Sequence, residues 1–174
     1  MMEIKRLEPA DREALERFVA RVPEGDRTFF KEDVEAPDVV DAWTRPGPSR
    51  ALAVEGGEVV GYVAVVPLHG WSSHVGEVRV IVDPDHRGRG VGRALARRAV
   101  VEAVELDLSK MVVEVVADQE PTIAMFRSLG FDPEALLTDH VRDQSGSLRD
   151  LMILAHSVEE QWSSMTVAGI AGEL

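Results

Sequence analysis

Cysteine is absent from the 174-residue chain. That excludes a disulfide framework and any thiolate metal site, and makes a reducing compartment the natural setting. Long apolar runs are missing as well: stretches such as Val59–Leu68, "VVGYVAVVPL", stop at about ten residues, well short of the roughly 20 that a membrane-spanning helix needs. The N-terminal "MMEIKRLEPADREALERF" passes at once into charged, helix-like sequence and lacks the apolar core of a secretory signal. A cytoplasmic protein without membrane attachment is the expectation. Positive charge is scarce, with 19 Lys and Arg against 31 Asp and Glu and a net charge of -12. Nucleic-acid binding draws its affinity from counterion release over a broad basic face, so such a partner is not expected. The five histidines show no ligand spacing, so no metal is expected either.

What the chain does have is 45% hydrophobic residues, enough for one substantial core and, by length, not for two. A single domain over 1–156 is expected. The tail, 157–174, has no clear periodicity and reads as disordered or docked on a neighbour, in a monomer or homodimer. "EIKRLE" alternates like a short strand, and Leu15, Phe18, Val19 and Val22 follow at helical spacing. Pro23 to Pro48 is turn-rich, with one short helix expected around Val39–Trp43. Arg50–Leu68 reads as a hairpin turned at Glu55, Gly56, Gly57 and Glu58. Next come a strand over Gly76–Val82, a helix over Gly90–Leu106, a strand over Met111–Val116, a helix in "EPTIAMFRSLG", and two strands around Ser145 and Gly146. The order describes a mixed α/β domain.

One stretch breaks the acidic pattern. "VDPDHRGRGVGRALARR", Val82–Arg98, holds five arginines and three glycines. It lies between a strand end and a helix start, where unpaired backbone N–H groups and the positive end of the helix dipole converge. Such a place binds phosphate. Gly88, Gly90 and Gly92 remove the Cβ atoms that would hold a phosphate off the backbone, and Arg87, Arg89 and Arg93 add charge beyond any need of helix capping. The alternative is a glycine turn with solvated arginines. A dinucleotide fingerprint is ruled out because Arg93 occupies the third glycine position counted from Gly88, and a P-loop because Arg93 and Ala94 stand where lysine and a hydroxyl residue belong.

Arg87-x-x-Gly90-x-Gly92, preceded by "VRVIVDP" and followed by an amphipathic helix, resembles the acetyl-CoA pyrophosphate motif of the GNAT N-acetyltransferase superfamily. "VVEVVADQEPTIAMFRSLGF" resembles that family's later strand, polar turn, helix and Leu-Gly-Phe ending, so the resemblance covers Arg50 to about His156. It implies a mixed, mostly antiparallel central sheet flanked by helices, with splayed central strands forming an acetyl-CoA cleft. It further implies that the backbone of Arg87, Gly88, Arg89, Gly90, Val91 and Gly92 cradles the pyrophosphate with Arg93 beside it. Val80, Ile81 and Val82 would face the pantetheine arm. Two positions depart from the family: Gln119 stands where an asparagine commonly touches CoA, and Phe126 where a tyrosine commonly protonates the leaving thiolate.

The implied chemistry is acetyl transfer to a primary amine, on a protein N-terminus, a lysine or a small molecule. An alkyl amine of pKa about 10.4 costs roughly 4 to 5 kcal/mol to deprotonate at pH 7, and an α-amine near 8 about 1, so a positioned base is worth having. Glu114 interrupts the apolar "MVVEVV" at a place that matches a glutamate of the ribosomal-protein N-terminal acetyltransferase branch. Glu77 lies on the preceding strand, where other branches keep a base. Each could instead be a solvated edge residue or a partner of an arginine such as Arg79. Tyr62, the single tyrosine, is expected to pack its ring in the core and satisfy its hydroxyl locally. Phe29, Phe30, His69 and Trp71 offer either a groove lining or an ordinary apolar rim or core, and His74, just before the Glu77 strand, reads as a loop residue rather than a catalyst. The other class of function is an acyl-CoA-binding sensor or partner module of the same fold without catalysis, which Phe126 favours.

Overall fold

A computed structural model describes residues 1–36, 38–45 and 48–158. All but the first two residues of the tail, 157–174, therefore lie outside the described residues. Seven strands form a mostly antiparallel sheet, and helices flank it: β1 (Met2–Arg6), β2 (Ser49–Glu55), β3 (Glu58–Pro67), β4 (Val75–Val82), β5 (Lys110–Val116), β6 (Asp132–Arg142) and β7 (Leu148–Ser157), in the order β1-β2-β3-β4-β5-β7-β6. Among the described residues five helices accompany them: α1 (Arg12–Arg21), α2 (Glu24–Arg27), α3 (Val39–Trp43), α4 (Val91–Glu105) and α5 (Glu120–Ser128). Tertiary contacts divide the chain into two compact units, Met1–Ala64 with Arg79–Ala96, and Val65–Val78 with the chain from Arg97 onward.

In the first unit β1 pairs antiparallel with β2, from Met2 opposite Glu55 to Arg6 opposite Ala51. β2 turns into β3 through Gly56 and Gly57, at φ 60 and 84, a left-handed pair that residues with a Cβ adopt only under strain. Helix α1 is amphipathic, burying Leu15, Phe18 and Val19, and its start is fastened by Asp11, whose carboxylate accepts from the Glu8 N–H at 3.0 Å and from Lys5 Nζ at 2.7 Å. Gly61 sets how near α4 lies to β3. A Cβ there would sit 2.8 Å from Leu95 Cδ1 and 3.0 Å from Val91 Cγ1.

In the second unit the first half of β4 pairs parallel with β5, from Val75 opposite Lys110 to Val78 opposite Val113. β5 pairs antiparallel with β7 along its whole length, placing Glu114 opposite Ile153. β7 pairs with β6, whose register shifts between Pro133 and Ala135 and between Leu137 and Val141. Alternation explains β5: Met111, Val113 and Val115 are buried while Glu114 on the opposite side is exposed. Gly76 repeats the device of Gly61, since a Cβ there would meet Leu108 Cδ1 at 2.6 Å. Among the described residues no helix is long and apolar enough to cross a membrane.

The second unit also carries a buried charge. Glu102 on α4 is 1% exposed and accepts from Arg98 Nε, one helical turn earlier, at 2.6 Å. Removing the guanidinium leaves the carboxylate buried without it, so Arg98→Ala should lower unfolding free energy by about 3 kcal/mol. Urea titration checks this. The Arg98→Met, Glu102→Leu pair, which removes both charges, should recover most of the loss.

Candidate functional site

The Arg-Gly segment is built by a chain of local restraints. β4 is held to β3 at its end by the Asp83 N–H, which donates to the Val60 carbonyl at 3.0 Å. The buried Asp83 carboxylate accepts from the Asp85 N–H at 3.0 Å and faces Arg21 Nε at 3.4 Å. Pro84–His86 forms one 3-10 turn. The chain then passes through Gly88 and Gly90 at φ 73 and 88 and enters α4, where the Ala94 N–H donates to the Gly90 carbonyl at 3.0 Å. The N–H groups of Val91 and Gly92 precede that bond at the helix start, where the first donors have no carbonyl four residues earlier within the helix. At Gly88 and Gly90 no other heavy atom lies within 4 Å of where a Cβ would stand. The backbone is thus bare and open where a diphosphate would approach.

The arginines of this segment are tied to carboxylates of the same unit. Arg87 Nη2 donates to Asp26 at 2.5 Å, and Arg89 Nη2 lies 3.0 Å from Glu55. Their side chains are 51% and 54% exposed, and exposed pairs of this kind are worth about 1 kcal/mol or less. A dianion at the glycines would compete for both with little penalty. Val80 and Val82 are half-buried and Ile81 is buried at 4% exposure, so Ile81 offers a ligand its backbone only. Arg93 is exposed and Val91 buried.

In the second unit Glu114 is exposed and Glu77 half-buried. Glu77 stands opposite Val112 in the parallel ladder, two residues before Glu114, so both project from one side of that ladder. Each makes an interaction of its own. Gln119 precedes the first turn of α5, its carbonyl accepting from the Thr122 and Ile123 N–H groups at 3.0 and 3.1 Å, and its side chain does not cap the helix.

Phe126 is 1% exposed, and its ring lies edge-on to Phe131 with centroids 5.2 Å apart. Gly130, at φ 88, turns the chain so that the Phe131 N–H donates to the Phe126 carbonyl at 3.1 Å. The position is a packing site. Phe126→Tyr should therefore cost about 1 to 3 kcal/mol of stability, because the added hydroxyl enters an apolar environment without a partner. Equilibrium unfolding in urea measures it, and an unchanged midpoint would mean that the ring has access to solvent or to a polar group.

Sequence reasoning missed a polar and aromatic cluster in the first unit. Phe30, Trp43 and Tyr62 are buried, with Trp43 stacked on Tyr62 at 5.0 Å and on Phe30 at 5.6 Å. Glu32 accepts from Trp43 Nε1 at 2.6 Å and from Arg79 Nη1 at 2.7 Å. The Tyr62 hydroxyl accepts from Arg50 Nε at 2.9 Å, as expected of a core tyrosine with a local partner. Burial pushes its pKa up to about 12 despite Arg50. Phe29 is half-buried, while His69, Trp71 and His74 are exposed. No group of three or more His, Cys, Asp or Glu among the described residues could hold a metal ion.

With this geometry in view, the comparison that decides the family is a match of residues 12–131 to the model of the Acetyltransferase (GNAT) family. The chain belongs to the GNAT acetyltransferase family. An uncharacterized N-acetyltransferase of Escherichia coli, YjgM, is 27% identical over 157 residues, covering 85% of this chain and 94% of that protein. A mycothiol acetyltransferase of Pseudarthrobacter chlorophenolicus is 37% identical over 92 residues, which span 51% of this chain and only 28% of that longer protein. Among solved structures, the acetyltransferase yncA of Salmonella typhimurium, crystallised with its cofactor acetyl-CoA, superposes with a TM-score of 0.71 at 25% identity, over 90% of this chain and 94% of its own. The sheet order and flanking helices are those of GNAT acetyltransferases.

Proposed function

We propose that this GNAT protein transfers the acetyl group of acetyl-CoA to a primary amine by direct attack, with the segment Arg87–Arg93 holding the CoA pyrophosphate. The observation that carries the reading is the open, left-handed backbone at Gly88 and Gly90 leading into the start of α4, within the stretch that matches the GNAT family model. Acetyl-CoA, when bound, supplies an activated acyl thioester. Arg87, Arg89 and Arg93 add charge to the backbone donors. The backbone of Val80, Ile81 and Val82 faces the pantetheine arm, and Gln119 offers it an amide. Glu114, or Glu77 beside it, takes the amine proton directly or through one water. The amine nitrogen then bonds to the acyl carbon as the carbon–sulfur bond breaks, and the proton the nitrogen sheds in becoming an amide passes through water to the thiolate, whose pKa of about 8.5 makes that step easy. With no cysteine in the chain, no thioester intermediate on the enzyme intervenes.

A second reading, acyl-CoA binding without catalysis, is favoured by one observation: the only phenol in the chain belongs to the buried Tyr62, so no tyrosine serves the leaving group. Free-thiol release from acetyl-CoA across a panel of amines separates the two. Transfer predicts amine-dependent thiol at steady state. Tight acetyl-CoA binding with no thiol from α-amines, alkyl amines and peptides would leave the binding module.

A further inference from the structure

Arg50 is the second residue of β2 and is half-buried. Three groups fix its guanidinium: Nε donates to the Tyr62 hydroxyl at 2.9 Å, Nη1 donates to the Pro48 carbonyl at 3.1 Å, and the Trp43 ring lies beneath it at 5.8 Å. Two of its five N–H groups are used. Among the described residues no carboxylate pairs with it, in a chain holding 31 acidic residues. The nearby Glu32 is committed to Arg79 and to Trp43. A partly desolvated, pre-oriented guanidinium with free Nη donors matches a planar carboxylate.

Its place in the unit matters. Tyr62, which holds Arg50, lies on the stretch of β3 that runs beside the end of β4: Val60 accepts from Asp83, and the Ile81 carbonyl lies 3.3 Å from the Cβ position of Gly61. That end of β4 is the segment assigned above to the pantetheine arm. We infer that Arg50 anchors the carboxylate of the acceptor, so that the acceptor is a small molecule of the amino-acid class, carrying its amine and a carboxylate a few bonds apart. The inference rests on the acetyl-transfer reading and narrows its acceptor. A peptide N-terminus, whose α-carboxyl is consumed in an amide, does not satisfy the anchor.

The test uses L-amino acids, their carboxamides and the corresponding decarboxylated amines as acceptors for the wild type, Arg50→Gln and Arg50→Lys. The wild type should favour its best amino acid over the matching carboxamide by about 10²-fold in kcat/KM, because a site built for a polar group rejects the analogue lacking it. Arg50→Gln should erase that preference through KM and change the carboxamide rate by less than about threefold. Arg50→Lys should fall between, a point charge without the fork. Acetyl-CoA affinity by calorimetry, expected near wild type, together with the retained carboxamide rate excludes a merely structural effect, whatever melting temperature the lost Tyr62 contact costs. Equal rates for acid and carboxamide, or equal losses on both in Arg50→Gln, overturn the inference while leaving acetyl transfer standing. If no amine releases thiol, calorimetry of the CoA-saturated protein with N-acetyl-L-amino acids and their carboxamides still decides. Arg50-dependent preference for the acids sustains the anchor after the transfer reading has failed, and absence of that preference removes both.

Discussion

Gly90→Glu should abolish acetyl-CoA binding in a protein that still folds, a loss of at least about 10²-fold in affinity by calorimetry. Two effects act together. The new side chain occupies space that is open at present, and its carboxylate sits among the backbone donors that would otherwise meet a diphosphate. The substitution also places a Cβ at φ 88, a strain of about 1 to 2 kcal/mol. Gly90→Ala carries that strain without the charge or the bulk, and should weaken binding by less than tenfold. If folded Gly90→Glu bound acetyl-CoA like the wild type, the pyrophosphate would have to lie elsewhere.

The largest kinetic effect is expected at β5. If Glu114 takes the amine proton, Glu114→Gln should lower kcat/KM by about 10² to 10⁴, the usual cost of losing a general base. Acetyl-CoA affinity should stay near wild type, since the residue is placed in proton transfer alone. The pH profile gives the sign. An alkyl amine is charged at neutral pH, so the missing base is felt most there, and the deficit should shrink as pH rises toward the amine pKa of about 10. Stability should be unaffected, because the side chain is exposed on β5. An unaltered rate at pH 7 would move the role to Glu77 or to solvent.

Local patterns with a fixed period were readable from the chain. The hairpin was announced by two alternating runs around Gly56 and Gly57, and the short helix over Val39–Trp43 has the bounds its sequence suggested. The turn before α4 was legible because its glycines mark where the backbone must turn left-handed, at Gly88 and Gly90. Glu32 was not legible. It lies in a turn-rich stretch without periodicity, and its partner Arg79 is 47 residues away in sequence, so only tertiary folding brings the two together. The setting of Arg50 was invisible for the same reason: Tyr62 and Trp43, which hold its guanidinium, are linked to it by no spacing rule. At Phe126 the turn at Gly130 brings Phe131 back onto the ring, a packing contact that the family position alone does not announce.

The central claim, that the start of α4 and the glycines before it receive the CoA pyrophosphate, is tested most directly by following backbone amide resonances of the ¹⁵N-labelled protein as acetyl-CoA is added. The largest shifts should fall on the N–H groups of Gly88 to Arg93 and persist with CoA lacking the acetyl group. Saturable acetyl-CoA binding that leaves those amides unmoved would contradict it.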